Sequence, residues 1–540
     1  MNTPPTPETR HFAQRPRAAR WLERLILPLD RLCNRLYGSP YNPLYQSGAL
    51  ALLFLLVLTA TGIYLLIFYQ IRTPYESVRG IEEQVWAGRW IRALHSYAGD
   101  AMMLAVLVHM VRMLISGRTW GPRVLAWVSG VMLLGLMLLS GWTGLVLAWD
   151  IQAEFVAVQG ARMLDLLPIF SEPIASTFTG GTGITSNFFF LNLMLHMVLP
   201  VVVLLGVWIH TARVARPVIL PPRKLAVWSV AGLTLLAVVW PIGMLPPSDR
   251  LRMLGEVPVD IFYGAWLLVA RHAEPSVTLL VMSLTAAVPF TVPLWWRPRL
   301  TFRQAGQRHA PAPAWVNQDL CTGCTQCYLD CPYQAITMVT APETNTASEL
   351  VAEVNPSLCT ACGICAGSCA PMVVGPPGRR GRDLLMDMQR FFEREQIATD
   401  EVVALVCGQS AGSALLEDPP AGVHVYGLHC AGASHTSAME HLLRRGVGGV
   451  YVLSCPSRDC FYRRGPHWLH ERIHEDREAE LHARVDRRRI RIGYFSRADE
   501  AAARADLTAF RSAAAAAAEH VVDEGQIDLN TLCETMQEAV

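Results

Sequence analysis

Two apolar stretches decide the fold of this chain: RALHSYAGDAMMLAVLVHMVRM at residues 92–113 and NLMLHMVLPVVVLLGVWIHTARV at residues 192–214. The first contains His95 and His109, and the second contains His196 and His210. Fourteen residues separate the members of each pair, which at about 1.5 Å rise and 3.6 residues per turn places both rings on nearly one face of a helix, roughly 21 Å apart. That distance is close to two-thirds of the hydrocarbon core of a bilayer.

Six apolar runs are long enough to cross a membrane, and 52% of the 540 residues are hydrophobic, which exceeds what a soluble protein needs. Each run is close to the ~20 residues that a spanning helix requires. The runs lie near residues 46–69, 93–115, 124–147, 188–213, 225–245 and 276–296. The sequence therefore predicts a multidomain protein that begins with an all-α bundle of six spans at residues 46–299.

The positions of the arginines predict how the chain is oriented in the membrane. The net charge of +1 neither favours nor excludes a nucleic-acid partner. Arginine is concentrated before the first span and after the second and fourth spans, while the loop at 150–187 contains only Arg162. The first external loop, with three arginines, fits this pattern less well. The excess places both termini in the cytoplasm of a bacterial-type inner membrane. Residues 1–45 are predicted to form an N-terminal extension and an amphipathic helix on the inner leaflet.

Four glycines repeat the fourteen-residue interval on the first and third spans. Glycine lets a flat macrocycle approach the backbone closely. The topology predicts which glycines share a depth with which histidines: Gly48 and Gly130 lie at the inner level with His109 and His210, and Gly62 and Gly144 lie at the outer level with His95 and His196.

Eight positions that agree in interval and depth favour two bis-histidine haems between the second and fourth spans. For any single position, a helix-packing glycine or a hydrogen-bonded core histidine is the alternative. Arg92 lies three residues before His95, and Arg112 lies three residues after His109. Both are therefore placed to pair with haem propionates.

Over about residues 40–300 the chain resembles the cytochrome b subunit of bc-type quinol-oxidising complexes. The intervals, the WIRALH and HMVR contexts and Pro200 carry this resemblance. It implies a low-potential outer haem b, a higher-potential inner haem b and quinone sites near each. Quinol oxidation on the outside needs a high-potential branch, so a Rieske-type iron-sulfur protein and a cytochrome c are expected in the complex, together with a homodimeric core. Gln46 stands where plastoquinol-oxidising relatives have a cysteine, so no additional covalent haem is expected.

The segment PVDIFYGAWLLVAR at residues 258–271 is similar to the Pro-Glu-Trp-Tyr segment of the same family. The similarity implies a candidate quinol site in which Asp260 is the proton acceptor and Tyr263 is the catalytic tyrosine. An extra residue intervenes and the tryptophan is replaced. An amphipathic helix on the membrane surface is the alternative.

After a linker at residues 300–315, the chemistry of the chain changes, because thirteen of the fourteen cysteines follow residue 320. CTGCTQCYLDCP at 321–332 and CTACGICAGSCAP at 359–371 are bacterial ferredoxin runs. In such domains three cysteines of one run and the last of the other bind each 4Fe-4S cluster. The predicted sets are Cys321, Cys324, Cys327 and Cys369, and Cys359, Cys362, Cys365 and Cys331. Zinc is the alternative for one CxxC pair, but two full runs predict a ferredoxin-like domain at 316–378.

Residues 379–499 have an α/β pattern in which EVVALVC, GVHVYGLHC and GVGGVYVLSC are predicted strands of a parallel sheet. The three strands end in Cys407, Cys430 and Cys455, and Cys460 follows. The carboxyl ends of parallel strands share one edge of a sheet. Four converging thiolates suit a small iron-sulfur cluster, and buried structural thiols are the alternative.

This segment resembles the delta subunit of methyl-viologen-reducing hydrogenases, an adaptor that carries a 2Fe-2S cluster. VCGQS, HCAGASH and CPSRDCFYRRG correspond to its motifs, with Ser410 where the family usually has a second cysteine. The resemblance implies a 2Fe-2S cluster on the four remaining cysteines and a soluble cytoplasmic flavoprotein or iron-sulfur partner. Residues 500–540 are predicted to be a helical tail in which Cys533 has no role.

These features predict a subunit of a quinol oxidoreductase that passes electrons between quinone, two b haems and a cytoplasmic iron-sulfur arm. Two alternatives belong to other classes. The chain could be a non-catalytic membrane anchor and electron conduit for a hydrogenase or heterodisulfide-reductase-like enzyme, or a transporter with metal-binding histidines. The direction of electron flow stays open.

Overall fold

A computed structural model describes residues 17–119, 123–168, 172–179, 184–212, 218–248, 257–296, 303–304, 307–308, 312–399, 401–475, 477 and 479–525. Cys533 and most of the linker lie outside these residues. The chain divides into two compact units. The membrane unit is Pro43–Arg297, and the arm comprises the residues up to Asn42 and those from Pro298 onwards.

The membrane unit is all-helical. Its helices are α2 (Ser47–Phe68), α3 (Pro74–Glu83), α4 (Gly88–Ile115), α5 (Val124–Leu147), α6 (Ile151–Leu164), α7 (Ser176–Thr179), α8 (Ser186–Ala212), α9 (Arg223–Val239), α10 (Leu267–Ala270) and α11 (Pro275–Trp295). Their core is built mainly from leucine, methionine and phenylalanine side chains of α2, α4, α5 and α8. Helix α2 packs against α4, and α5 packs against α8. Each histidine-bearing helix therefore has a glycine-bearing helix as its principal neighbour.

Among the described residues, five helices are long and apolar enough to cross a membrane: α2, α4, α5, α8 and α11. The fifth predicted span, at 225–245, corresponds to α9, which has 17 residues and ends at Val239. Trp240 leaves the helical conformation and Pro241 follows, and proline cannot continue the hydrogen-bond ladder of a helix. The apolar run is therefore longer than the helix that it forms.

The arm contains one four-stranded sheet and three two-stranded sheets. Its strands are β1 (Arg303–Gln304), β2 (Gln307–Arg308), β3 (Trp315–Val316), β4 (Ile336–Thr340), β5 (Leu350–Val354), β6 (Val374–Gly375), β7 (Val402–Cys407), β8 (Val423–Leu428), β9 (Gly449–Ser454) and β10 (Ile490–Tyr494). Its helices are α1 (Arg17–Tyr37), α12 (Gln326–Asp330), α13 (Ile364–Ser368), α14 (Gly381–Glu395), α15 (Gly412–Leu415), α16 (Thr436–Arg444), α17 (Gly465–His474) and α18 (Glu500–Gly525).

The large sheet has the order β10-β9-β7-β8, and all of its pairs are parallel. The parallel α/β fold predicted for this region is therefore confirmed. The three predicted strands are β7, β8 and β9, and they are nearly continuous runs of buried apolar residues, which is typical of strands covered on both faces. Strand β10 was not among the predicted strands, although Ile490 is buried and Arg491 is exposed, as in a half-buried edge strand.

The ferredoxin segment and the α/β segment share one continuous core. The buried cysteines of both ferredoxin runs, Met388 of α14 and Leu405 of β7 belong to it. The other face of the sheet is covered by α18 through Leu507 and Phe510. The two segments thus form one body around the cysteines.

Helix α1 has two different faces. On its polar face, Glu23 forms an ion pair with Arg497 at 3.2 Å, and Asn34 donates a hydrogen bond to Asp499 at 2.8 Å. On its apolar face, leucines and a tryptophan at helical spacing are exposed: Trp21, Leu25, Leu29, Leu32 and Leu36. The predicted amphipathic helix is present, and its polar face contacts the α/β segment.

Candidate metal centres

In the membrane unit, each of the four glycines faces one of the four histidines. A side chain at each glycine would come close to an imidazole ring, because a Cβ would lie 2.9 Å from His109 at Gly48, 3.3 Å from His95 at Gly62, 3.3 Å from His210 at Gly130 and 2.8 Å from His196 at Gly144. This is the pairing by depth that the intervals predict.

The Nδ1 atoms of three of these histidines have hydrogen-bond partners on the glycine-bearing helices. His95 contacts Thr61 Oγ1 at 2.9 Å, His196 contacts the carbonyl of Ser140 at 2.9 Å, and His210 contacts Ser129 Oγ at 2.9 Å. A hydrogen bond at Nδ1 selects Nε2 as the metal ligand and fixes the orientation of the ring.

The spacing of the outer histidine pair fits a haem. The ring centroids of His95 and His196 lie 6.5 Å apart. A metal–nitrogen bond of about 2 Å on either side of an iron leaves two facing imidazole centroids about 6 Å apart. The donor set, the hydrogen bonds at Nδ1 and the glycine clearance therefore suit bis-histidine haem b at this level.

The two arginines predicted to bind propionates have protein partners in the structure. Arg92 forms an ion pair with Glu82 at 2.7 Å and also donates to the carbonyl of Ile242. The guanidinium of Arg112 lies 4.5 Å above the ring of Tyr45. Glu82 could not be predicted as a partner, because it belongs to α3 and not to the histidine-bearing helix.

The candidate quinol segment is a series of turns followed by α10, and not an amphipathic helix. Asp260 Oδ1 accepts hydrogen bonds from the N–H groups of Phe262 at 2.9 Å and Tyr263 at 2.6 Å. The Tyr263 hydroxyl donates to the carbonyl of Gly99 at 3.0 Å, and a Cβ on Gly141 would lie 2.1 Å from the tyrosine ring. Tyr263 is thus wedged between α4 and α5, whereas Asp260 caps a turn.

The first ferredoxin-type set surrounds a small apolar cavity. All four of its predicted cysteines line this cavity: Cys321, Cys324, Cys327 and Cys369. Burial raises the pKa of the Cys327 thiol, and the other three cysteines of the set raise it further. Four thiols around an apolar cavity fit a cubane cluster, whose binding requires that they deprotonate.

The second set is equally close together. Burial raises the pKa of the Cys362 thiol to about 12, and Cys331 and Cys359 contribute to this shift. Burial also raises the pKa of Cys365, whose neighbours are the rest of this set and Cys327. Backbone N–H groups donate to the sulfur atoms of both sets, as Val373 does to Cys369 at 3.4 Å and Ala335 does to Cys331 at 3.3 Å. Such bonds tune the potential of a cluster.

The four cysteines of the α/β segment meet at the carboxyl ends of the strands. The sulfur atoms of Cys407 and Cys455 lie 3.8 Å apart, and this hydrogen bond lowers the pKa of Cys407 while it raises that of Cys455. Burial raises the pKa of Cys430, and Cys460 and Cys407 contribute. The donor set fits a 2Fe-2S cluster. In the part of the chain that the structure describes, no three His, Cys, Asp or Glu side chains are placed to hold a single metal ion.

Ser410 has a structural position beside this site. It is fully buried, its hydroxyl donates to the carbonyl of Cys407 at 2.7 Å, and it accepts from the N–H of Gly412 at 3.2 Å. The side chain therefore closes the turn after β7. The four remaining cysteines form the site without it.

Three arginines beside the cysteines were missed by sequence reasoning. Arg379 donates to the carbonyl of Ala361 at 3.1 Å, Arg497 donates to that of Gly408 at 2.7 Å, and Arg472 donates to that of Gly432 at 2.6 Å. Each acceptor lies within two residues of a cysteine of the second or third set. In the sequence these arginines resemble ordinary surface charges.

Three family models match successive parts of the chain. Residues 33–216 match cytochrome b/b6/petB, residues 320–372 match a 4Fe-4S dicluster domain, and residues 402–515 match the delta subunit of methyl-viologen-reducing hydrogenase. The matches coincide with the histidine core, the ferredoxin runs and the parallel sheet.

Individual relatives are similar to parts of the chain. Cytochrome b6 of Heliobacterium mobile is 32% identical over 191 residues, which cover 34% of this chain and 89% of that protein. The menaquinol:cytochrome c reductase cytochrome b subunit of Bacillus subtilis (strain 168) is 26% identical over 138 residues, which cover 25% of this chain and 62% of that protein. A solved hyperthermophilic respiratory Complex III matches with 17% identity and a TM-score of 0.39, covering 51% of this chain and 82% of that one.

Proposed function

The chain belongs to the cytochrome b/b6 family, and we propose that it is the cytochrome b subunit of a membrane quinol/quinone oxidoreductase with a built-in iron-sulfur arm. Electrons pass between quinone, an outer and an inner haem b, two 4Fe-4S clusters and one 2Fe-2S cluster, and the arm docks a soluble flavoprotein or iron-sulfur partner. Haem and iron-sulfur groups supply the one-electron chemistry when bound.

The observation that carries this proposal is the packing of the arm. Helix α13, which contains Cys365, packs against the short turn Ala431–Ala433 that follows Cys430. A Cβ on Gly363 would lie 3.2 Å from Ala433, so the two cysteine loops are in contact. This proximity supports a continuous route between the ferredoxin sites and the third site.

The residues of the membrane unit have defined tasks in this proposal. His95 and His196 bind the outer haem, His109 and His210 bind the inner haem, and the four facing glycines make room for the macrocycles. Thr61, Ser129 and Ser140 hold the imidazole rings in place through Nδ1. The positive-inside pattern of the sequence supports a cytoplasmic location for the iron-sulfur arm.

Outside partners are part of the same proposal. If quinol is oxidised at an outer site, one electron enters the outer haem and the second needs a high-potential acceptor. A Rieske-type protein and a cytochrome c, in a complex with a homodimeric core, would supply that branch. The Bacillus relative is named as a menaquinol:cytochrome c reductase subunit, which supports this assembly.

Cofactor analysis of the full chain, purified from membranes, tests the proposal. We expect two haem b groups by pyridine haemochrome assay and about ten non-haem iron atoms per chain, with low-temperature EPR signals of 4Fe-4S and 2Fe-2S clusters. Copurification of a Rieske protein would support the quinol-oxidising assembly. Absence of haem, or of all iron-sulfur signals, would overturn the proposal.

A second function is favoured by one observation. Asp260 Oδ1 is engaged by two backbone N–H groups, which is the role of a turn cap. In the second function the outer quinol site is inactive, and the chain is a membrane anchor and electron conduit for a hydrogenase or heterodisulfide-reductase-like enzyme. An Asp260→Asn variant distinguishes the two functions. Quinol turnover unchanged from wild type would show that Asp260 takes no part in it, which favours the conduit, and loss of turnover favours the oxidoreductase.

A further inference from the structure

Arg472 is a fully buried cation at the junction of two cysteine sites. Its side chain, on α17, is 0% exposed and lies inside the common core of the arm. All three of its hydrogen bonds go to neutral carbonyl groups: Nε to Trp468 at 3.0 Å, Nη1 to Ser434 at 3.2 Å and Nη2 to Gly432 at 2.6 Å.

Among the described residues, no carboxylate lies within ion-pair distance of this guanidinium. The nearest acidic groups bind other cations, since Asp330 binds Arg477 at 2.9 Å and Glu471 binds both Arg477 at 2.8 Å and His467 at 3.0 Å. Burial of a charge without a directly bound counter-ion is costly, and burial lowers the pKa of Arg472 to about 10. The attraction of Asp330 and Cys430 partly offsets this effect of burial, so anionic groups near the guanidinium stabilise its charge.

The cysteine loops on both sides of Arg472 can provide such anionic groups. On one side, Gly367 lies midway between Cys365 and Cys369, and a Cβ on it would lie 1.8 Å from Nη1 of Arg472. On the other side, Gly432 accepts from Nη2 while its own N–H donates to the sulfur of Cys430. Helix α13 and the turn Ala431–Ala433 therefore both contact the guanidinium, each through a glycine that lies two residues after a cysteine.

We propose that Arg472 is the shared counter-charge of the second ferredoxin site and the α/β site, and that it keeps both at higher reduction potentials. The proposal rests on the iron-sulfur sites of the proposed function. Four thiolates give each loaded site a net negative charge, and reduction adds one more. A fixed cation in the low-dielectric gap between the sites stabilises the reduced state of both. Arg472 is in this sense a positioning and tuning residue and binds no iron.

Two substitutions separate the charge from the hydrogen bonds. Arg472→Gln removes the charge but keeps a donor on a side chain of similar shape, and Arg472→Lys keeps the charge but loses the fork of donors. Arg489→Gln is the matched control, because Arg489 also donates to backbone carbonyls, at Gly448 and Val447, and does not contact a cysteine loop.

The measurement is an EPR-monitored redox titration of the full holoprotein. In Arg472→Gln we expect both sites to be about tenfold less reduced at a fixed ambient potential, which corresponds to a midpoint about 59 mV lower for one electron. Arg472→Lys and Arg489→Gln should keep wild-type midpoints. Fully loaded Arg472→Gln with unchanged midpoints would overturn the proposal, and so would a Lys variant shifted as far as the Gln variant.

Iron content keeps the test decisive if the Gln variant loses its clusters. In that case, a fully loaded Lys variant with wild-type midpoints supports the role of the charge, and loss of iron in the Lys variant as well contradicts it. The failure of the proposed function is a separate outcome, because wild-type protein would then give no iron-sulfur signals at all.

Discussion

The membrane unit and the arm hold their candidate cofactors with different kinds of sequence. In the membrane unit, each candidate haem site combines histidines of α4 and α8 with glycines of α2 and α5, so that four helices contribute one residue each. In the arm, three of the four cysteines of a ferredoxin site come from one seven-residue run. The first kind of site depends on helix packing over a hundred residues, whereas the second is largely set by local loops.

This difference predicts which cofactors are lost when a residue of either unit is substituted. A change in the membrane unit removes a cofactor by removing a histidine ligand or by filling the space between helices, and a change in the arm removes a cofactor by removing one thiolate. The two units should therefore lose their cofactors independently of each other.

The largest expected effect is the loss of a haem. In His109→Leu the inner haem loses an axial ligand, so we expect haem content to fall from two to one per chain while the iron-sulfur EPR signals remain. Pyridine haemochrome assay measures the haem, and His272→Leu, at an exposed histidine outside the spans, is the control. Retention of both haems in His109→Leu would contradict the assignment.

The next largest effect is expected when a larger side chain fills the space between a glycine and the histidine that it faces. In Gly144→Val the new side chain begins 2.8 Å from the His196 ring, so we expect loss or a large shift of the outer-haem absorbance, with the inner haem retained. Gly135→Val, in the same helix, meets open space and serves as the control. Equal spectra of the two variants would show that Gly144 is an ordinary packing glycine.

An intermediate effect is confined to one site of the arm. Cys430→Ala removes one thiolate of the α/β site, and we expect the 2Fe-2S EPR signal to vanish while both 4Fe-4S signals persist. Loss of all three signals would show that the arm folds only when the third site is loaded, and it would break the contrast between local and distributed sites.

The smallest expected effect concerns Ser410. Ser410→Ala removes the hydroxyl that closes the turn after β7, which costs about 1 kcal/mol of folding free energy. Urea denaturation of the arm should detect this loss, and the 2Fe-2S signal should be unchanged. Loss of the signal in Ser410→Ala would instead indicate that the hydroxyl belongs to the cluster site.

The features of this structure that could be predicted from the sequence are those in which histidines, glycines or cysteines recur at a fixed interval along the chain. The fourteen-residue spacing predicted which glycine meets which histidine, and the cysteine runs predicted which thiols cluster, because both patterns repeat helix or loop geometry. The end of α9 was missed, since hydropathy does not register how Trp240 and Pro241 stop a helix. Strand β10 was missed although Ile490, Arg491 and Ile492 alternate as in an edge strand, because the prediction considered only continuous apolar runs.

Partners from distant elements could not be predicted. Arg92 lies at the expected place beside His95, yet its ion pair is with Glu82 of the preceding helix. Arg472 belongs to a charged segment, HERIHE, and only the folded arm shows that its guanidinium is enclosed by two cysteine loops. Such contacts depend on tertiary packing between distant elements, and they produce no regular spacing of residues in the sequence.

The central claim is that haems and iron-sulfur arm form one electron path, and rapid-mixing spectroscopy of the full chain in membrane vesicles tests it most directly. Reduced methyl viologen is mixed with quinone-free vesicles, and haem b absorbance is followed. We predict haem reduction at least about tenfold faster in wild type than in Cys365→Ala, in which the path through the second ferredoxin site is broken. Equal rates in the two proteins, with haem that dithionite still reduces fully, would contradict the claim.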